Sequence, residues 1–204
     1  MKTILKACLL IVIIGLAYWA YRIPAASLEF QASLDSRQKE VVQSLKDIRE
    51  AEKAYKRNYN KYTGSFDTLI NFLKNDSLVY ERAMGSEDDS VAVAKGLVKV
   101  EKVTIAIKDT VFSGRIVDFE NLRYIPFSNK KEFELGATEV KTGLSSVVVP
   151  IFEAKASLMS FLKDLKQDQE IINLYDTYKA MDKYPGLKVG SLDKPNNDAG
   201  NWED

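Results

Sequence analysis

The chain has 204 residues, with 29 Lys and Arg against 29 Asp and Glu, no histidine and a single cysteine. A cancelled charge offers no polybasic surface for nucleic acid, and the histidine and cysteine counts remove Ser-His-Asp and Cys-His catalysis, imidazole-ligated zinc and any internal disulfide. A hydrophobic content of 46% with 10 Gly and 5 Pro is that of a chain that folds around a core.

Residues 7–21 (ACLLIVIIGLAYWAY) carry no charge, and widening the window to 3–26 admits only Lys6 and Arg22. A helix rises about 1.5 Å per residue and needs about 20 residues to cross a bilayer, so this segment spans one if Lys6 and Arg22 reach back to water. Tyr18, Trp19 and Tyr21 gather at its far end, where amphipathic rings favour the headgroup layer, and Pro24 follows as a point for a kink or stop. Cys8 then reads as a small membrane-buried hydrophobe. A cleaved secretory signal is the competing reading, since Lys2 and Lys6 precede the apolar run. Signal cleavage asks for small residues one and three positions before the cut, whereas Tyr18 stands two before Ala20 and Pro24 two before Ala26. Retention is therefore the expectation. Lys2 and Lys6 ahead of the span place the N-terminus in the cytoplasm. The expected location is a single-pass inner-membrane protein with the bulk of the chain in the periplasm, divided into an anchor (1–25), a stem helix with a short second helix (26–76), and a head (77–204).

Beyond the anchor, apolar residues at 34, 41, 45, 48, 51, 55, 59 and 62 form one stripe of a long amphipathic helix. The remaining positions are charged or polar, with Glu52 four residues before Lys56 in the favourable order. Gln38 and Glu52 fall on core positions of any coiled-coil seam, so a strict heptad is not sustained. The stripe Val41, Leu45, Ile48, Tyr55 and Tyr59 is expected to join stem to head. Gly64 ends this helix and Ser65 can cap the next, which carries Phe66, Leu69, Ile70 and Leu73 on one face until a break at 75–77. Glu87, Asp88 and Asp89 then form a solvated acidic loop.

From residue 97 the period shortens to two, and Val98, Val100, Val103, Ile105 and Ile107 predict a strand with one slip at Glu101-Lys102. Further strands are predicted at 111–117, 122–127, 132–138 and 147–152 as an antiparallel meander, with Pro126 and Pro150 at edges or strand ends. Helical spacing returns after Ala154 and runs through Leu158, Phe161, Leu165, Ile171, Leu174 and Tyr178 to Pro185. The last segment, 187–204, alternates briefly and becomes a polar loop. The fold class is α+β: an N-terminal transmembrane helix continuing into a long amphipathic helix, then an antiparallel head with a C-terminal helix and loop.

Two stretches resemble one family. Residues 48–73 (IREAEKAYKRNYNKYTGSFDTLINFL) are similar to the end of the stem helix in type II secretion pseudopilins and related type IV pilin-like proteins. The matching residues are Ala51, Ala54, Tyr55, Asn58 or Asn60, Tyr62, Phe66 and Leu69. Residues 190–203 (GSLDKPNNDAGNWE) resemble the C-terminal loop of the major pseudopilin, where acidic residues bind calcium ahead of a Trp. The leading segment lacks the family's Gly-Phe cut site and its early Glu. The resemblance implies a membrane-seated subunit with an apolar stem and a globular head.

Calcium takes six to eight hard oxygens on a flexible loop, and Asp193, Asn197 and Asp198 head a tail that also holds Asn196, Asn201 and Glu203. Two readings stand for this tail: a calcium loop, or Asn, Asp and Gly making turns. Trp202 is expected to pin it to the core. Carboxylate-pair hydrolysis is the acid–base chemistry left without histidine, and no pair of acids stands out. The expected function is a non-enzymatic, pilin-like component of an envelope or secretion machinery, with the inner membrane, other envelope proteins or further copies of itself as partners and no nucleic acid. The alternative is a membrane-tethered periplasmic module that binds a peptide or an envelope polymer.

Overall fold

The computed structural model describes residues 2–84, 99–107, 111–112, 115–143 and 146–203, leaving out the side chains at 2, 3, 5, 7, 8, 21–27, 78–84 and 99–104. The acidic triplet at 87–89 lies outside the described residues. The chain opens with one helix, α1 (Lys2–Tyr59), of 58 residues, about 87 Å long at 1.5 Å per residue. It runs through Pro24, where the sequence offered a kink or stop.

In the first third of α1 the described side chains are exposed. Leu9, Leu10, Ile11, Val12, Ile13, Ile14 and Leu16 are each more than half exposed. Among the described residues no helix is long and apolar enough to cross a membrane. The apolar stretch whose side chains are placed, 9–20, covers about 18 Å, short of the ~30 Å of a bilayer core.

From Phe30 onward α1 changes role. Phe30, Leu34, Val41, Leu45, Ile48, Ala51, Ala54 and Tyr55 are buried, a stripe at helical spacing packed against the head. α2 (Phe66–Asn75) buries Phe66, Leu69, Ile70, Phe72 and Leu73 against it. Ser65 does occupy the α2 N-cap, but its hydroxyl makes no cap hydrogen bond; instead its N–H donates to Thr63 Oγ1 at 3.2 Å.

Among the described residues, five strands form two antiparallel sheets. β1 (Ser77–Met84) and β2 (Lys99–Ala106) pair from Ser77 with Ala106 to Met84 with Lys99. β3 (Glu134–Thr142), β4 (Val147–Ser157) and β5 (Gly186–Gly190) form a three-stranded sheet with β4 central. Between β4 and β5 stand α3 (Leu158–Leu162) and α4 (Asp168–Ala180). The architecture is α+β, a long helix laid on a small antiparallel sheet.

Several expected elements are corrected. The chain at 111–112 is a turn and 115–118 has no regular structure, so no strand runs over 111–117 among the described residues. Residues 121–123 form a turn of 3-10 helix where the strand 122–127 was expected. Asp118 accounts for this locally: its carboxylate accepts from the Glu120 N–H at 3.1 Å and the Asn121 amide at 2.7 Å, a side-chain turn that outcompetes a ladder. β1 was unforeseen, and a single five-stranded meander does not form. The expected continuous helix after Ala154 is also corrected, because the strand persists to Ser157 and Lys166, at φ 55°, separates the two helical pieces.

Pro150 sits in the central strand, opposite Glu139 of β3. β5 pairs with β4 over residues 153–157, so among the described strands β3 alone pairs with β4 at Pro150, as at an edge, where proline is tolerated. The close approach of β5 depends on glycine. A Cβ on Gly190, at φ 75°, would lie 2.1 Å from the Phe152 carbonyl oxygen, a contact and a conformation that only glycine accepts without strain. Phe152, Ala154 and Ala156 alternate inward from β4, and the Tyr62 ring lies 4.7 Å from that of Phe152, so the turn after α1 closes over the sheet.

Candidate functional site

The last two turns of the buried half of α1 carry Arg49, Glu52 and Lys56 at spacings of three and four, which place them on one helix face. The turn at 60–64 brings Tyr62 and Thr63 back over that face, and the C-terminal tail brings Asp198 and Glu203. Glu52 is fully buried. Its Oε2 accepts from the Thr63 N–H at 2.9 Å, while Oε1 has no protein partner.

The Tyr62 hydroxyl donates to Asp198 Oδ2 at 2.7 Å and receives Lys56 Nζ at 3.3 Å. Arg49 Nη1 donates to Glu203 Oε1 at 2.8 Å and, more weakly, to the Asp198 carbonyl at 3.3 Å. Two side-chain bridges therefore tie the tail to the stem and to the turn after it, from Arg49 to Glu203 across 154 residues and from Tyr62 to Asp198 across 136. Within the tail, the Glu203 Oε2 caps the Gly200 N–H at 3.1 Å, and Asn201 spends both ends of its amide on the Lys188 N–H at 3.0 Å and the Gly186 carbonyl at 2.9 Å. Gly200 lets the Trp202 indole lie flat on the backbone, within 2.6 Å of where a Cβ would stand.

These contacts fix protonation. Burial, opposed by the Thr63 N–H and aided by the charge of Asp198, pushes the Glu52 carboxyl up to about 8, so it is a neutral acid at pH 7. Burial and the hydrogen bond to Asp198 hold the Tyr62 phenol well above its ordinary value. The Arg49 guanidinium, with the Gly200 N–H, draws Glu203 below the usual carboxylate range. Glu52 is enclosed on every side, so its chemistry acts on the fold.

Val41, Leu45, Ile48 and Tyr55 of the expected stripe are buried between α1 and the head, whereas Tyr59 remains 47% exposed. Tyr59 lies at the rim, its ring tilted against Tyr55 and Phe72 and its hydroxyl donating to Asp76 Oδ2 at 2.6 Å. Asp193 and Asn197 stand exposed on the tail and Asp198 faces Tyr62. Among the described residues no group of three or more His, Cys, Asp or Glu could hold a metal. Asp193, Asn197 and Asp198 carry hard oxygens of the kind calcium takes, and Asp198 Oδ2 is taken up by the Tyr62 hydroxyl.

Sequence reasoning paired Glu52 with Lys56 on the outer face; the structure turns Glu52 inward and gives Lys56 to Tyr62, with Nζ 4.6 Å from the ring centroid. The signal was present, because Glu52 interrupts the apolar seam at a core position. Arg49 as the tail's anchor carried no local signal. No family model matches the chain, and no curated protein or solved structure matches it.

A buried acid with a raised pKa makes stability fall with rising pH. Glu52 contributes fully below about pH 4.5, and its contribution is lost as pH climbs to about 8, because the unfolded chain sheds that proton first. Urea unfolding of the wild type between pH 5 and 9 is expected to lose on the order of 4 kcal/mol. Glu52→Gln flattens that slope and surpasses the wild type at pH 9. Parallel curves for the two proteins would refute this assignment.

Proposed function

We propose that the protein is a membrane-anchored, non-enzymatic component of an envelope assembly, pilin-like in plan. What supports the reading most is the division of α1. A single helix shows aliphatic side chains on every side over 9–20 and then, without interruption, drives a one-sided stripe into a folded head. An exposed all-round apolar surface on a helix asks for an apolar solvent or a partner. The uncharged run continues on both sides of the placed stretch, to residues 7 and 21, and Lys6 and Arg22 snorkelling extend it toward bilayer thickness.

Within this proposal the N-terminus is cytoplasmic, the span lies in the inner membrane, and the head is periplasmic, touching further copies of itself or other envelope proteins. The turn-and-tail junction at Glu52, Tyr62 and Asp198 falls on both stretches that resemble pseudopilins. It gives those stretches a common physical purpose, closing the head onto the stem. Calcium on Asp193, Asn197 and Asp198 belongs to the same proposal, as a counter-charge for a tail rich in carboxylates. Binding of a peptide by a tethered head is the second reading, and the clefts around Phe127 favour it.

Expressed with its own leader, the full chain is expected to stay in the membrane pellet through carbonate extraction at pH 11, with intact mass showing residues 1–25 in place. A mature chain beginning near residue 26 and found in the aqueous fraction contradicts the anchor. Excess calcium is expected to raise the melting temperature of the full chain by a few degrees, through occupancy of the folded state alone, and Asp198→Asn to abolish that rise. An identical melt with and without the ion removes calcium from the proposal.

A further inference from the structure

The segment 124–133 is a closed loop whose geometry is fixed from within. Tyr124 bridges Glu132, the Ile125 N–H donates to the Lys131 carbonyl at 2.8 Å, and the Phe133 N–H donates to the Arg123 carbonyl at 2.9 Å. Ser128 is buried at its centre, its hydroxyl donating to the Ile125 carbonyl at 2.6 Å and accepting from the Lys131 N–H at 3.0 Å. This staple forces three non-glycine residues into left-handed backbone: Phe127 at φ 61°, Asn129 at 56° and Lys130 at 65°. Asn enters that region readily; a bulky aromatic does not.

Strain in an aromatic residue is ordinarily offset by burying its ring. Phe127 is instead 41% exposed. One face of the ring is backed by the Arg37 guanidinium, 4.6 Å from its centroid. Arg37 is itself immobilised by a two-pronged pair with Asp164 and by donation to the Phe161 carbonyl at 2.7 Å. The loop thus holds an aromatic side chain rigidly out from the head on a cationic support, a preorganised anchor of the kind that dominates protein interfaces.

Phe127 forms the ridge between two clefts. One of them, about 330 Å³, has Phe127 and Met159 as apolar walls and Lys131 and Lys163 at its margin. Its acid, Asp164, is drawn below the carboxylate range by Arg37 and cancelled by it. Neither Lys131 nor Lys163 has an ion-pair partner among the described residues. The cleft therefore sets two apolar side chains, Phe127 and Met159, among polar ones (Ser128, Asn129, Ser160) with the two unpaired cations, Lys131 and Lys163. The cleft on the other side of the ridge, about 430 Å³, carries Asp47 and Asp118, with Asp47 paired to Arg115 at 2.6 Å. Lys130 lines that cleft as well, so its charges roughly cancel and the unpaired positive charge lies on the Lys131–Lys163 side.

We infer that the Phe127 ridge and the Met159–Lys163 cleft form a docking site for an acidic peptide segment of a partner protein, with an apolar side chain of that segment inserted between Phe127 and Met159 and its carboxylates over Lys131 and Lys163. The site stands on the head alone and does not depend on the anchoring proposal. Phe127 supplies the contact area, the lysines supply orientation and attraction, and the strained loop removes the entropy of ordering the ring on binding.

The test is selection of a random dodecapeptide library on the full chain in dodecyl maltoside micelles, followed by titration of the winning synthetic peptide. The expected consensus is Asp or Glu flanking a Leu, Met or Phe. Binding of that peptide should weaken at least tenfold in Phe127→Ala and in the double variant Lys131→Glu, Lys163→Glu, and should weaken with salt. Phe127→Gly serves as the folding control: it removes the ring and relieves the backbone, so it should melt no lower than the wild type and still fail to bind. No enrichment, a consensus without acids, or an acidic peptide that binds Phe127→Gly as well as the wild type overturns the site.

Discussion

The burial of one stripe of α1 is the constraint on which the rest of the molecule rests. Val41, Leu45, Ile48 and Ala51 are wholly removed from solvent, and each large aliphatic among them contributes about 1.5–3 kcal/mol. Among the described residues the sheet beneath is three strands wide, and α4 buries Ile171 with Leu174 and Tyr178 packed beside it. The α1 stripe shares one continuous buried cluster with α2, α3, β4 and Phe112, Leu122, Ile125 and Phe133, so removing it would expose apolar surface on every one of them. The head therefore folds around the stem, and the stem's position fixes where β4, α2 and the tail come to lie. Because that stem is the same helix that begins with an exposed aliphatic segment, whatever seats the first third of α1 sets the orientation of the head as a rigid consequence.

The polar junction at Glu52 adds a different kind of constraint. Apolar packing alone would let the C-terminal tail slide, since the tail offers Trp202 and little else to the core. The Asn201 amide and the backbone bonds to Gly190 and Lys188 fix its register against β5, and the bridges from Arg49 to Glu203 and from Tyr62 to Asp198 fix it against the stem and the turn. The cost is visible in Glu52, which is buried with one oxygen unpartnered and stays neutral because burial disfavours its charged form, with the Asp198 carboxylate adding to that. Specificity of closure is obtained at some loss of stability, and the loss grows with pH.

The long stem, α2, the strand at 99–106 and the strand over 147–152 were legible because each has a sustained period: 3.6 in the first two, 2 in the others. The register of Phe152, Ala154 and Ala156 extended past the point where helical spacing was read, since Leu158 and Phe161 follow without a break in hydrophobicity. What could not be read were the segments whose shape is set by side-chain hydrogen bonds. Asp118 turns a strand-like sequence into a 3-10 turn, and Ser128 folds PFSNKK into a loop that no periodicity describes. Of the candidate site, the stripe residues at 41, 45, 48 and 55 were visible as core positions, while Tyr59 proved peripheral because α1 ends just where it points. The partners of Arg49 lie across the chain and left no trace in its neighbourhood.

Native-state hydrogen exchange on the full chain in micelles measures the central claim most directly, because it compares the stem and the sheet within one molecule. If the head folds around α1, the amides of residues 45–55 and those of 151–156 open with the same free energy, equal to that of global unfolding. Exchange of the 45–55 amides through openings ~2 kcal/mol or more below that of the sheet would mean that the sheet stands without the stem, and would contradict the account.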